Sequence, residues 1–154
     1  MTDWKKEKVL VIGTGISGLS AVSLLERLGA DVILFDANKK LTEAEVRAKL
    51  KDGSRAEIVL GEFPKARMSE LTLAVPSPGV PLDIPMMLDI RACGIPIWGE
   101  IELGYRCSKG AVAAITGTNG KTTTTTLVGQ IMKIYNEKIY VVGNIGYPYA
   151  DVAT

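Results

Sequence analysis

The residues best equipped for chemistry lie in the stretch 114–126, AITGTNGKTTTTT. Gly117, Thr118, Asn119 and Gly120 form a short loop that leads into Lys121, Thr122 and Thr123. A glycine-containing loop can turn its backbone N–H groups inward around a polyphosphate; Lys121 then adds a point charge for the outer phosphates and the Thr122 hydroxyl a ligand for Mg²⁺. The loop follows an apolar run and opens a helix-length segment, so the positive end of a helix dipole points at the same anion. The general pattern G-x-x-x-x-G-K-[ST] is met only at its Gly-Lys-Thr end, because Ile115 stands where its first glycine falls. The threonines at 122–126 are poor helix formers, so propensity alone does not place them at a helix start.

A second candidate site lies near the N-terminus. Gly13-Thr14-Gly15-Ile16-Ser17-Gly18 is G-x-G-x-x-G, and it follows the β-branched apolar run KVLVI at 8–12. Leu19, Val22, Leu25 and Leu28 then recur every three residues, as one face of a helix that Gly29 ends. Another apolar run, 32–35, closes on Asp36. Tight turn, close backbone approach to a diphosphate and an acidic residue after the second strand are what a nucleotide site of the Rossmann type needs. The pattern does not specify which nucleotide. The rigid turn PSPGVP at 76–81 follows a further strand and faces the same crevice if that strand is parallel.

The elements that position these residues follow in order. Strands are expected at 8–12, 32–35, 57–60, 71–75 and 95–98. Helices are expected after each glycine turn or cap: from Leu19, from the capping box Thr42-Glu43-Ala44-Glu45 to about Leu50, over 85–93 and over 100–106. The charged stretch 62–70 reads as a solvated connector. Ser108-Lys109-Gly110 reads as a joint, after which a strand at 111–116, the phosphate loop, a helix to about Tyr135 and a strand at 139–142 are expected. The fold class is therefore α/β: a Rossmann-like parallel sheet of about five strands flanked by helices over 1–107, then the opening βαβ unit of a P-loop ATPase domain over 108–154. One βαβ unit buries too little apolar surface to stand alone, so the chain is expected to be an N-terminal fragment cut inside its second domain.

Composition bounds the chemistry. The 154 residues are 47% hydrophobic and 23% charged, with a net charge of +1, which gives no reason to expect nucleic acid or an anionic membrane as partner. The start, MTDWKKEK, runs into only a short apolar stretch, so no signal peptide or spanning helix is expected and the location is expected to be cytoplasmic. Cys93 and Cys107 are too few and too isolated for a disulfide framework or zinc site. With no histidine anywhere, the usual general base is missing, and catalysis within these residues must rest on phosphate chemistry or not exist.

Taken together, VIGTGISGLSA, Phe35-Asp36, PSPGVP, IWGEIELGY, GTNGKTTTT and VVGNIGYPY resemble the Mur ligases of bacterial cell-wall synthesis, most of all the members that add D-glutamate. The resemblance runs from Val9 to Tyr149. It implies an ATP-dependent amide ligase of peptidoglycan precursor synthesis, with UDP-N-acetylmuramoyl-L-alanine, D-glutamate and ATP as substrates, Mg²⁺ as cofactor, an acyl phosphate intermediate and a monomeric full-length enzyme. Three domains are implied: one for the UDP end of the substrate, a central ATPase and a C-terminal domain. Carried over by position, Gly15, Ile16, Ser17 and Gly18 approach the nucleotide, and Asp36, Ala37 and Asn38 lie at the uracil. Ser77, Gly79 and Asn144 then lie near the diphosphate and sugar. Gly120 and Lys121 cradle the β and γ phosphates, Thr122 binds Mg²⁺, and Ile115 is no departure, since the family loop has the shorter GTNGKT form. The family's downstream magnesium ligands have no counterpart among these residues, so binding of the UDP moiety is expected without catalysis.

The alternative is a NAD-binding or redox-sensing Rossmann module in which GTNGKT is incidental. A third reading keeps the ligase chemistry with another substrate, as in the meso-diaminopimelate-adding or folylpolyglutamate-type enzymes; the N-terminal glycine loop with Phe35-Asp36 argues against it.

Overall fold

The computed structural model describes residues 2–153. Four strands form one parallel sheet: β1 (Lys8–Ile12), β2 (Asp31–Asp36), β3 (Glu57–Leu60) and β4 (Leu73–Pro76), in the order β3-β2-β1-β4. Lys8 is in register with Asp31, Val9 with Leu73, and Ile33 with Glu57. Near-continuous apolar runs are what a sheet covered on both faces requires, and Val9, Leu10, Val11, Ile33 and Leu34 are fully buried.

Alternate residues of those strands feed two cores. Val9, Val11, Val32, Leu34, Leu73 and Val75 face α1 (Ile16–Leu28), whose Ala21, Val22, Leu24 and Leu25 cover them. Leu10, Ile12, Ile33, Phe35 and Ala74 face the other way, onto Met87 and Ile90 of α3 (Pro85–Ala92) and onto Phe63 and Met68. The sheet is thus doubly wound. Gly29 ends α1 with φ +90°, a left-handed conformation that a glycine adopts without strain. The capping box forms as expected, with Thr42 and Glu45 bonded reciprocally, but the helix it opens, α2 (Glu43–Arg47), is short and passes into turns before Leu50.

Four expected strands are corrected. The fourth strand starts at Leu73 and runs through Pro76, which can close a strand because Ser77 supplies the next N–H, donated to the Ile12 carbonyl at 2.8 Å. The fifth strand, at 95–98, is reduced to a single parallel bridge of Ile97 to Ala74. Its Pro96 has no N–H and can only accept, from Ala74 at 2.9 Å, and Gly94 and Gly99 flank it. Residues 111–116 do not pair at all, and 139–142 contribute only a bridge of Val142 to Tyr147. A strand needs a paired neighbour, and 111–116 form no ladder among the described residues, although a groove brings them to the same walls as 138–142. The helix between them does form, as α5 (Lys121–Tyr135).

After Gly143 the chain returns to the first unit. Helix α4 (Glu100–Cys107) and the short α6 (Tyr149–Val152) pack on α1, and Leu103, Tyr149, Ala150 and Ala153 join the core on that face.

Candidate functional site

In a sheet ordered β3-β2-β1-β4, the chain leaves β1 toward β2 on one side, and after β4 it leads to the other side, where Ile97 bridges Ala74. The crevice beyond the carboxyl ends of β1 and β4 is then the place where a ligand fits. Three sequence candidates converge there. The glycine loop follows Ile12, the Ser77 turn follows Pro76 in register with Ile12, and Asp36 closes β2 beside them.

The loop is built from close approaches. Gly13 takes φ +102° and donates its N–H to the Phe35 carbonyl at 2.7 Å. A Cβ on Gly13 would lie 2.8 Å from Ser77 Oγ, and one on Gly18 would run into the Gly13 carbonyl oxygen. Gly15 caps α1 in an extended conformation, with no side chain bonded to the first-turn N–H groups and no atom within 4 Å of where its Cβ would stand. The first turn of this thirteen-residue helix is thus left without a side-chain cap, as an anion site requires. Ile16 is 76% exposed at this helix start, an apolar side chain offered to a ligand face.

Asp36 is fixed by three hydrogen bonds. Its Oδ2 accepts from the Thr14 N–H at 2.9 Å and the Thr14 hydroxyl at 2.7 Å, and its Oδ1 accepts from the Asn38 N–H at 3.0 Å. Partial burial pushes the Asp36 pKa up, but the Thr14 hydroxyl, the Asn38 and Thr14 amides and the charge of Lys49 outweigh it and hold the carboxyl below its ordinary value. Ala37 and Asn38 follow, exposed. Asp36 thus stays ionised and oriented, able to accept from a sugar hydroxyl or a base N–H. Thr14 was missed as a site residue in the sequence; its only signal is a hydroxyl inside the glycine pattern.

Beyond β4, Ser77 Oγ is buried and has no hydrogen-bond partner, while Gly79 is exposed. Asn144 is exposed in a turn between Gly143, φ +113°, and Gly146, φ +78°. That turn is closed by the Gly143 N–H on the Tyr147 carbonyl at 3.0 Å.

The second loop is open to solvent. Gly117, Thr118, Asn119, Gly120, Lys121, Thr122 and Thr123 are all exposed. Gly120 caps α5 at φ +74° without a side-chain bond, and Lys121 Nζ folds back onto the Gly117 and Thr118 carbonyls, the latter at 3.1 Å. The lysine ammonium therefore sits over the mouth of the loop. Thr122 follows in the first turn of α5. One hydroxyl suits Mg²⁺, which keeps most of its waters and takes phosphate oxygens from a nucleotide; no cluster of three or more His, Cys, Asp or Glu that could hold a metal exists among the described residues. A separate groove between 108–115, α5 and 138–142 is lined mainly by apolar residues, among them Ala111, Val112, Val128 and Met132, with Lys109, Thr125 and Lys138 also on its wall.

A doubly wound sheet with a glycine loop and acidic strand end, followed by a Gly-Lys-Thr loop opening a helix, defines an α/β protein with two glycine loops of the kind that bind nucleotide phosphates. Comparison with known proteins makes this specific. Residues 7–99 match the family described as Mur ligase MurD-like, N-terminal domain, and residues 115–153 match the Mur ligase middle domain. The chain belongs to the MurD-like Mur ligases.

Among curated relatives, the UDP-N-acetylmuramoylalanine–D-glutamate ligase of Lachnospira eligens is 57% identical over 147 residues, 96% of this chain and 32% of that protein. The protein of the same name from Lachnoclostridium phytofermentans is 51% identical over 95% of this chain and 32% of its own length. The chain spans about a third of the length of these relatives. The solved pseudomurein peptide ligase type C of Methanothermus fervidus shares the fold at a TM-score of 0.54, with 23% identity, over 84% of this chain and 26% of its own. No helix among the described residues is long and apolar enough to cross a membrane.

Proposed function

We propose that this chain carries the UDP-substrate site and the first part of the ATP site of a ligase that joins D-glutamate to UDP-N-acetylmuramoyl-L-alanine, in the cytoplasm. Residues 1–107 form the substrate-binding unit and 108–154 belong to the central ATP-binding domain. The observation that carries the reading is the Thr14-held Asp36 beside the uncapped start of α1 at the sheet's switch point.

The diphosphate of the UDP compound lies against the free amides of Ser17 and Gly18, where the helix dipole favours negative charge. Gly15 lets the phosphates approach the backbone, and Ile16 covers one face of the nucleoside. Asp36, with Ala37 and Asn38, receives the uracil end. Ser77 and Gly79 border the diphosphate from the β4 side, and the buried Ser77 hydroxyl is free to donate to it. Asn144 reaches the sugar.

At the second loop, ATP would supply the phosphoryl group that turns the substrate carboxylate into an electrophile for the amine of D-glutamate. The exposed amides from Gly117 to Gly120 and the start of α5 hold its phosphates. Lys121 leaves its two loop carbonyls for the outer phosphates and offsets the charge repulsion between nucleotide and carboxylate, and Thr122 would give Mg²⁺ its one ligand from these residues. The full-length enzyme is expected to be monomeric.

Calorimetric titration of the 154-residue chain with UDP-N-acetylmuramoyl-L-alanine, with NAD and Mg-ATP as controls, tests the reading. Saturable binding of the UDP compound without NAD binding is expected. Binding of NAD in its place, or silence from all three, would overturn the site as described.

A further inference from the structure

Glu100 is a charged residue in the wrong place for a soluble helix start. It opens α4, yet it is only 5% exposed, beside the apolar cluster of Leu103, Tyr149 and Ala150. Burying a carboxylate is costly unless something holds it, and an apolar side chain would fill the site at less cost. What Glu100 holds is α6: its Oε1 accepts the buried Ala150 N–H at 2.7 Å. From the opposite side Arg27, at the end of α1, donates Nη2 to the carbonyls of Ala150 at 3.1 Å and Ala153 at 3.5 Å. An acceptor from α4 and a donor from α1 therefore grip the two polarities of one short backbone segment. Gly104 completes the seat, since a Cβ there would stand 2.7 Å from Tyr149 Cγ.

The gripped segment directly follows the 143–146 turn. That turn is tied to it through the Gly143 N–H on the Tyr147 carbonyl, and Gly143 lies beside the Ile101 side chain of α4. Besides the grip, residues 143–153 are held by the buried Tyr149, Ala150 and Ala153 but have little hydrogen bonding of their own: Val142 to Tyr147 is a single bridge, and α6 is four residues long. A helix that short has no stability of its own in water.

We propose that Glu100 and Arg27 are positioning residues that clamp α6 onto the first unit and thereby fix where the 143–146 turn presents Asn144 to the UDP substrate. The Asn144 half of this rests on the function proposed above; the clamp itself does not. Neither residue touches substrate. Their task is to hold a segment contributed from beyond the phosphate loop on the unit that binds the UDP end, so that the substrate site is completed by backbone returning from the ATP-binding region.

The test uses the 154-residue chain and two readouts, amide hydrogen exchange and titration with UDP-N-acetylmuramoyl-L-alanine. Glu100→Ala should speed exchange across 143–153 by about tenfold or more, the equivalent of one charge-assisted hydrogen bond, with β1 to β4 still protected. It should also weaken the UDP compound as much as Asn144→Ala does, and the double variant should be no weaker than either single one. Glu100→Gln should restore both readouts, because the amide oxygen still accepts the Ala150 N–H. If Glu100→Ala does not fold, Arg27→Met, which keeps the aliphatic stem and removes the two carbonyl bonds, should give the same pattern. Unchanged exchange at 143–153 would overturn the clamp. Faster exchange with additive affinity losses, or with affinity unchanged, would overturn the presentation of Asn144. If the unaltered chain binds no UDP compound, the functional reading fails, and the exchange result alone decides the clamp.

Discussion

Thr14 donates both its backbone N–H and its hydroxyl to one oxygen of Asp36, at 2.9 and 2.7 Å, so the glycine loop after β1 and the end of β2 are locked to each other before any ligand arrives. The lock explains why a carboxylate that partial burial should make less acidic is instead held below its ordinary pKa.

That lowered value sets a pH dependence. A carboxyl with a depressed folded-state pKa contributes stability above the unfolded-state pKa and loses it as pH falls through the folded-state value. Asp36→Asn should therefore lie below the unaltered chain in thermal midpoint at about pH 6, and the gap should close as pH falls below the ordinary carboxylate range. Thermal scans across that range check it. A gap that does not change with pH would mean that Asp36 is not held in this way.

For the ligand, Asp36→Ala should weaken binding of the UDP compound and leave nucleotide binding at the Gly-Lys-Thr loop unchanged, because the two sites share no residue. Titration of each ligand separately decides the matter, and an unaltered UDP-compound affinity would remove Asp36 from the site.

Lys121→Ala should lower turnover of the full-length ligase by about a hundredfold or more, since the lost ammonium is aimed at charge that develops on phosphate. Stability should change by less than about 0.5 kcal/mol, because Lys121 is exposed and bonded only to carbonyls of its own loop. A large fall in thermal midpoint with activity per folded molecule retained would contradict the assignment.

The two thiols should differ in reactivity. Cys93 is exposed, whereas Cys107 is half-buried and burial pushes its thiol pKa up. The thiolate is the nucleophile, so alkylation at neutral pH should label Cys93 first. Mass spectrometry of the partly labelled chain reads the order directly.

The four paired strands and the first glycine loop were legible in the sequence because each is a local event: a short β-branched run, a punctuating glycine, an acidic end. The full fifth strand failed on Pro96, whose missing N–H leaves one bridge where a ladder was expected. The expected strand at 111–116 failed for a different reason, since pairing is a property of two segments and the run itself names no partner. The return of α6 to α1 and α4 was not legible either. Tyr149, Ala150 and Ala153 form no periodic pattern long enough to announce a packed face, and glutamate at a helix start normally signals solvent and a favourable dipole, so Glu100 gave no hint of burial. Gly104 was the available signal: a glycine inside a helix weakens it unless something must come close.

What comes close is Tyr149, and this yields the sharpest test of the packing. A Cβ on Gly104 would meet Tyr149 Cγ at 2.7 Å and Tyr149 Cβ at 2.9 Å, distances that real side chains do not adopt. In isolation Gly→Ala within a helix stabilises by about 1 kcal/mol. Here overpacking should reverse the sign, with a net cost of about 1–3 kcal/mol as α6 is pushed from its seat. For a chain of this size each kcal/mol lowers the thermal midpoint by about 2–4 °C. Gly104→Ala should therefore melt lower, and Gly104→Ala combined with Tyr149→Ala should lose less than the sum of the two single changes, because the clash is removed with the ring. A higher midpoint for Gly104→Ala would show that α4 carries no neighbour at that position and that α6 lies elsewhere.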